Sequence, residues 1–233
     1  EGVRAILLVE DSVRYYSTYL PLLYKLVLQQ NQIAIRDALN EKQQLLRKRA
    51  RPKVLLATCY DEAIETYRRY ETNIIGVISD IGFVLHKGDP SSTEKLDAGI
   101  DLCRLIRKEN PTMPFLMQSS QEAMSSIAKQ LKVGFVVKTS KTLTQELSAY
   151  IEREFGFGDF VAIDPRSGKE IARASDLEAF ERVISTISSA AFRRLSDNNY
   201  LSKWLFARGL FAIGRHVQQL QIQDDTDIEN IRL

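Results

Sequence analysis

Residues 73–83 read NIIGVISDIGF, and the rest of the chain is arranged around them. Ile74 to Ile78 is an apolar run that stops on Ser79 and then on a carboxylate, Asp80; Gly82 and a polar segment follow. A short continuous apolar run bounded by polar residues fits a strand buried on both faces. In an open α/β sheet, ligand chemistry collects at the carboxyl ends of such strands. A lone Asp at a strand end is also an ordinary turn or cap residue, so the neighbouring strand ends decide its meaning.

Four further runs have the same character. Val3 to Val9 (VRAILLV) ends on Glu10, Asp11 and Ser12. Pro52 to Ala57 holds KVLLA, Pro114 to Gln118 (PFLMQ) ends on Ser119 and Ser120, and Gly134 to Val137 (GFVV) ends on Lys138. Helical patterns separate them over 13–30, 61–71, 99–108, 121–131 and 142–155, with Pro21 expected to kink or break the first. Strands alternating with helices predict a parallel, doubly wound sheet. Residues 31–51 read as a helical extension or a second helix, whose partial apolar stripe would fold back or form a dimer surface. The loop 84–98 is long for a compact domain. Its His86 reads most simply as a solvent-facing loop residue rather than a ligand.

The last third differs. Phe160 to Ile163 and Glu170 to Arg173 flank a turn containing Gly168, which predicts a β-hairpin. Ser175 to Glu178 has the form of a capping box opening a helix through Ile187. A short helix over 190–195 and a longer one over 200–219 follow, and the acidic tail 224–233 reads as frayed or a linker. Arg193, Arg194, Lys203 and Arg208 form the one basic cluster of the C-terminal helices, without the apolar spacing of a helix-turn-helix.

Bulk properties exclude several classes. A 44% hydrophobic, 27% charged composition is that of an ordinary globular protein, and a net charge of +2 names no polyanion partner. No apolar run approaches the roughly 20 residues that span a bilayer. No secretory signal opens the chain, and Cys59 and Cys103 lack metal-ligand spacing, so reduced cytoplasmic thiols are expected. The missing initiator Met, with strand-like sequence from Val3, suggests a segment of a longer protein. Neither a Gly-rich dinucleotide fingerprint nor a phosphate loop appears. The Asp-x-Asp patterns of Toprim nucleases and haloacid-dehalogenase-type phosphatases fail at Asp80 and Asp11.

The strand ends thus deliver Glu10, Asp11, Asp80, Ser119 and Lys138 to one crevice. Three carboxylates suit Mg²⁺, a hard cation that prefers oxygen and keeps several waters. A lysine and a hydroxyl opposite suit an incoming phosphoryl group, whose transfer asks chiefly for positioning and charge neutralisation.

This pattern resembles the receiver domain of two-component response regulators. LLVEDS, VISD, PFLMQSS and GFVVK follow its four signature regions in order, over roughly residues 3–155. The resemblance implies a flavodoxin-like, CheY-like five-stranded sheet of order 2-1-3-4-5. It makes Asp80 the phosphoacceptor and assigns Glu10, Asp11, Asp80 and the Gly82 backbone carbonyl to Mg²⁺. It makes Ser119 the switch hydroxyl, Phe135 the switch aromatic, and Lys138 the partner of the phosphoryl group. The implied donor is a histidine kinase or phosphotransfer protein, and the implied chemistry is self-modification and slow hydrolysis rather than metabolic catalysis. Several features depart from the family, among them the absence of the proline usual a few residues after the acceptor. Lys138 is followed by Thr139 instead of proline, which puts the customary cis peptide in question. The segments at about 30–52 and 83–98 are enlarged, which bears on the face where a kinase docks.

Beyond the receiver, FGFGDF (155–160), DPRSGKEIARASDLEAF (164–180) and LSKWLFARGLF (201–211) look similar to a segment that follows a receiver-like domain in large bacterial proteins ending in a PEP-synthase-like, PEP/pyruvate-binding region. The expected organisation is a receiver domain over 1–157 and an accessory hairpin-plus-helices region over 158–233. The latter would relay a switch to attached output domains of a longer chain, with homodimerisation allowed for and no nucleic-acid or membrane partner expected. The competing readings are a phosphorylation-independent interaction or dimerisation module, and a transcriptional regulator with a C-terminal DNA-binding segment.

Overall fold

The structure, a computed structural model, describes residues 3–36, 52–219 and 228. Strands β1 (Ala5–Val9), β2 (Lys53–Ala57), β3 (Ile74–Asp80), β4 (Phe115–Ser119) and β5 (Gly134–Val137) form one sheet of order β2-β1-β3-β4-β5. Every pairing in it is parallel. The helices are α1 (Val13–Arg36), α2 (Tyr60–Tyr70), α3 (Ala98–Glu109), α4 (Ser125–Gln130) and α5 (Leu143–Glu154). The fold is the flavodoxin-like, doubly wound architecture that the alternating pattern predicts.

The strands read as continuous apolar runs because both faces are covered, so alternate residues feed two separate cores. On one face Leu7, Val9, Val77, Phe115 and Met117 pack with Tyr67, Leu102, Ile106 and Ala128 of α2, α3 and α4. On the other, Ile6, Leu8, Ile78, Leu116 and Val136 pack with Tyr19, Leu23, Val27, Leu147 and Ile151 of α1 and α5. A third cluster gathers Phe160, Phe180, Phe192, Trp204 and Leu205. It joins the antiparallel hairpin β6 (Phe160–Ile163) and β7 (Glu170–Ala174) to helices α6 (Leu177–Thr186), α7 (Ser189–Asp197) and α8 (Tyr200–Ala207); α9 (Phe211–Gln219) follows. Trp204 stacks on Phe180 with ring centroids 4.4 Å apart, and the Arg208 guanidinium lies 3.5 Å from its ring.

Several expectations are corrected. Helix α1 runs through Pro21 without a break. The carbonyl that proline leaves without a donor belongs to Ser17, and both residues face solvent, where water can satisfy it. The single helix expected over 200–219 is two, parted at Arg208–Leu210, where Gly209 adopts φ +76° and closes α8 as a left-handed cap. The N-cap of α6 is Asp176, whose carboxylate accepts the Ala179 amide, rather than Ser175. Residues 121–131 hold a 3₁₀ turn at Glu122–Met124 before the shorter α4. The long loop is pinned at its neck by an antiparallel bridge, Phe83 to Lys95. The expectations for 37–51 and for the tail lie outside the described residues, apart from residue 228. Among the described residues, no peptide bond is cis, so Lys138–Thr139 is trans, and no helix is long and apolar enough to cross a membrane.

Candidate functional site

Strand register brings the acids together. Val9 pairs with Ser79, so Glu10 stands one step on beside Asp80; Asp80 pairs with Gln118, and Ser119 with Val137. Lys138, the residue after β5, donates its own amide to the Ser119 carbonyl at 2.9 Å. All these groups therefore lie at the carboxyl edge of the sheet. Gly99 fixes the start of α3 against this edge. Its amide donates to the Ile81 carbonyl at 2.9 Å, and a Cβ there would sit 2.0 Å from the Asp80 carbonyl oxygen. No residue larger than glycine fits that approach.

At the centre is Lys138, whose side chain is 3% exposed. Its Nζ donates to Glu10 Oε2 at 2.6 Å and to Asp80 Oδ2, pairing with both carboxylates at once. Glu10 is fully buried; its Oε2 also accepts from Gln118 Nε2 at 3.0 Å, and its Oε1 from the Ser12 amide at 3.2 Å. Asp80 Oδ1 accepts the Ile81 amide at 2.7 Å. Asp11 Oδ2 accepts the Val84 amide at 3.4 Å. Burial, reinforced by the neighbouring Asp80 charge, raises Glu10 to a pKa of about 7 in spite of Lys138. Burial likewise raises Asp80, with Lys138 opposing the shift. One lysine between a buried Glu10 and a partly buried Asp80 leaves the ionised pocket a negative charge in excess, which is costly in a low-dielectric site.

Glu10, Asp11 and Asp80 each offer a carboxylate oxygen, and the three lie within 4.8 Å of one another. Octahedral Mg²⁺ holds oxygens at about 2.1 Å, which puts opposite ligands roughly 4.2 Å apart. A small contraction therefore closes this hard-oxygen set on the ion, and the donor set fits Mg²⁺. Gly82 lies two residues past Asp80, next to Glu94 of the long loop.

The other expected residues sit as follows. Ser119 is at the end of β4, and its Oγ accepts the Gln121 amide at 3.1 Å. Phe135 pairs with Met117 and is half-buried against the α4-side core. His86 is apart from the acids: its Nδ1 meets Asp61 Oδ2 at 2.7 Å in solvent, tying the long loop to α2 beside a Lys87–Glu62 pair at 2.7 Å.

Four residues about the site were not singled out from sequence. Gln118 orients Glu10, while its own Oε1, buried, has no hydrogen-bond partner. An amide closing an apolar strand was the available signal. The Tyr15 ring lies 4.2 Å from Lys138 Nζ as a lid, and Tyr19 brings a buried hydroxyl whose ionisation is opposed by burial and then by the charge of Glu10. Their i, i+4 spacing places both on one face of α1. Glu94, from the long loop, has its pKa raised by partial burial and then by Asp11 and Asp80. Nothing local in a polar loop marks it.

No protein-family model matches the sequence, and no curated protein sequence matches it significantly. Solved structures do. A response regulator receiver domain protein from Clostridium thermocellum is 19% identical, with 65% of this chain and 94% of that chain covered, at a TM-score of 0.41. A putative response regulator from Chloroflexus aurantiacus is 16% identical over 65% and 97% of the two chains, at 0.42. A response regulator from Thermotoga maritima, solved in complex with Mg²⁺ and BeF, is 16% identical over 65% and 99%, at 0.37. The architecture of the present chain rests on its own sheet order and register.

Proposed function

We propose that this chain is a phosphoacceptor receiver module, in which Asp80 accepts a phosphoryl group from the phosphohistidine of a histidine kinase or phosphotransfer protein. The observation that carries the reading is the buried Lys138 ammonium held between Glu10 and Asp80, with Asp11 completing a three-carboxylate cluster. A structural ion pair needs one acid; a lysine shared by two, beside a third, is a surplus of negative charge that a bound cation would relieve.

In the transfer, an Asp80 carboxylate oxygen forms a bond to phosphorus. The phosphorus–nitrogen bond of the donor breaks, and its electron pair returns to the imidazole. Mg²⁺, held by Glu10, Asp11, Asp80 and the Gly82 carbonyl, would supply charge neutralisation for the incoming phosphoryl oxygens. Lys138 donates a hydrogen bond to a phosphoryl oxygen. Ser119 turns its hydroxyl from the Gln121 amide toward another. The Ile81 amide, already on Asp80 Oδ1 at 2.7 Å, holds the carboxylate plane. Occupation of the site then biases Ser119 and Phe135 between two arrangements, and the region 158–233, whose described residues hold a cluster of their own around Phe180 and Trp204, passes the change to output domains of a longer chain.

Incubation with acetyl phosphate and Mg²⁺, read by intact mass, tests this. The parent chain should gain the mass of one phosphoryl group, and Asp80→Asn should not. Equal modification of both chains, or of neither, refutes the assignment. Failure of both would favour the phosphorylation-independent module.

A further inference from the structure

On the opposite edge of the sheet, the amino ends of β4 and β5 meet α5 and α8 around a cavity of about 320 Å³. Its charged lining is Arg107, Lys132, Arg153 and Lys203, with a single acid, Glu154. Glu154 is already engaged at both oxygens, by Arg153 Nε at 2.7 Å and by the Tyr200 hydroxyl at 3.3 Å. Arg107 donates Nη1 to the Met113 carbonyl at 3.0 Å. Among the described residues, neither Arg107, Lys132 nor Lys203 has an ion-pair partner. Lys203 is half-buried, and its Nζ makes no hydrogen bond among those residues; its one close companion is the Tyr200 ring, 5.0 Å away.

This contrasts with the buried cations elsewhere. Lys138 is matched by two carboxylates, Arg208 by the Gly156 and Gly158 carbonyls, and Arg4 by Asn31. Lys203 is also held in position. Gly156 has φ +77°, and a Cβ there would lie 2.7 Å from the Lys203 carbonyl oxygen, so the segment after α5 is pressed directly onto α8. Burial lowers the Lys203 pKa to about 8, with Glu154 opposing and Arg107 adding to the shift. Lys132 stands at φ +55°, a left-handed position where glycine would be the unstrained choice. Like charges gathered around a partly desolvated cavity repel unless an anion enters.

We propose that this cavity binds a compact multivalent oxyanion, a phosphoryl group or a dicarboxylate, through Lys203, Arg107 and Lys132. The ligand would bridge α3, the α4–β5 turn and α8, joining the sheet domain to the C-terminal helices. Each direct contact would be a charge-assisted hydrogen bond.

The test is calorimetric titration of inorganic phosphate, and separately of succinate, in EDTA at constant ionic strength, where the Asp80 cluster lacks its cation. The parent chain and Asp80→Asn should bind at least one of them saturably. Lys132→Ala, on the exposed rim, and Lys203→Met should each weaken binding roughly tenfold. The ligand that binds identifies the class. No saturable binding of either anion overturns the proposal, as does unchanged affinity in both Lys132→Ala and Lys203→Met.

Discussion

In the absence of a divalent cation, Glu10→Gln should gain stability over the parent chain steadily as pH rises from about 4.5 to about 7. Glu10 titrates at about 7 in the folded chain against 4.5 for a free glutamate. Below the lower value both states carry the proton and nothing distinguishes them. Between the two values the unfolded chain releases its proton first, so the parent loses stability as pH rises; above the upper value the loss is complete. The separation of about 2.5 pH units corresponds to roughly 3 kcal/mol. No discount for solvent screening applies, because the side chain is 0% exposed. Glutamine keeps an oxygen for the Ser12 amide, and its new amide can meet the unpartnered Oε1 of Gln118 after that side chain turns over. Weakening the Lys138 contact adds a fixed offset but leaves the variant without this slope. Urea denaturation in EDTA at several pH values measures the difference. It should widen by about 3 kcal/mol across the window, or roughly 6–12 °C in midpoint temperature for a chain of this size. Excess Mg²⁺ should flatten the parent slope, since the cation relieves the charge that the proton otherwise relieves. Stability curves that stay parallel in EDTA would refute the account of a buried, proton-hungry Glu10.

Two further outcomes follow from the scaffold. Pro21→Ala restores a donor on the solvent face of α1 and should stabilise the chain by about 1–3 kcal/mol in denaturant titrations; no gain would mean that the helix already accommodates the proline without cost. Gly99→Ala drives a Cβ to 2.0 Å from the Asp80 carbonyl oxygen, so it should cost about 3 kcal/mol and lower Mg²⁺ affinity by displacing Asp80. An alanine variant with parent-like stability and Mg²⁺ response would remove the close approach at the start of α3 from the argument.

The sheet was legible because its signal is local and repeated. Five apolar runs, each closed by polar residues and separated by helical periodicity, admit few topologies, and the order β2-β1-β3-β4-β5 is among them. Helix ends in the C-terminal region were harder to read. Residues 200–219 keep an apolar rhythm across Arg208–Leu210, and only the left-handed turn at Gly209 shows that the chain changes direction. At Pro21, of the kink or break that propensity predicts, the break does not occur: packing of Tyr19, Leu23 and Val27 against the sheet holds the helix together through it.

The sequence by itself determined which side chains end which strands, because a parallel strand delivers its last residue to the same edge as its neighbours. Glu10, Asp11, Asp80, Ser119 and Lys138 were identifiable on that ground alone. Tertiary structure decided how their charges are balanced: that Lys138 serves two carboxylates under the Tyr15 ring, that Gln118 orients Glu10, and that Glu94 arrives from the long loop. It also decided that four cations from separate elements face one cavity on the far edge. Burial and proximity between residues remote in sequence set these properties, and neither is written in any local pattern.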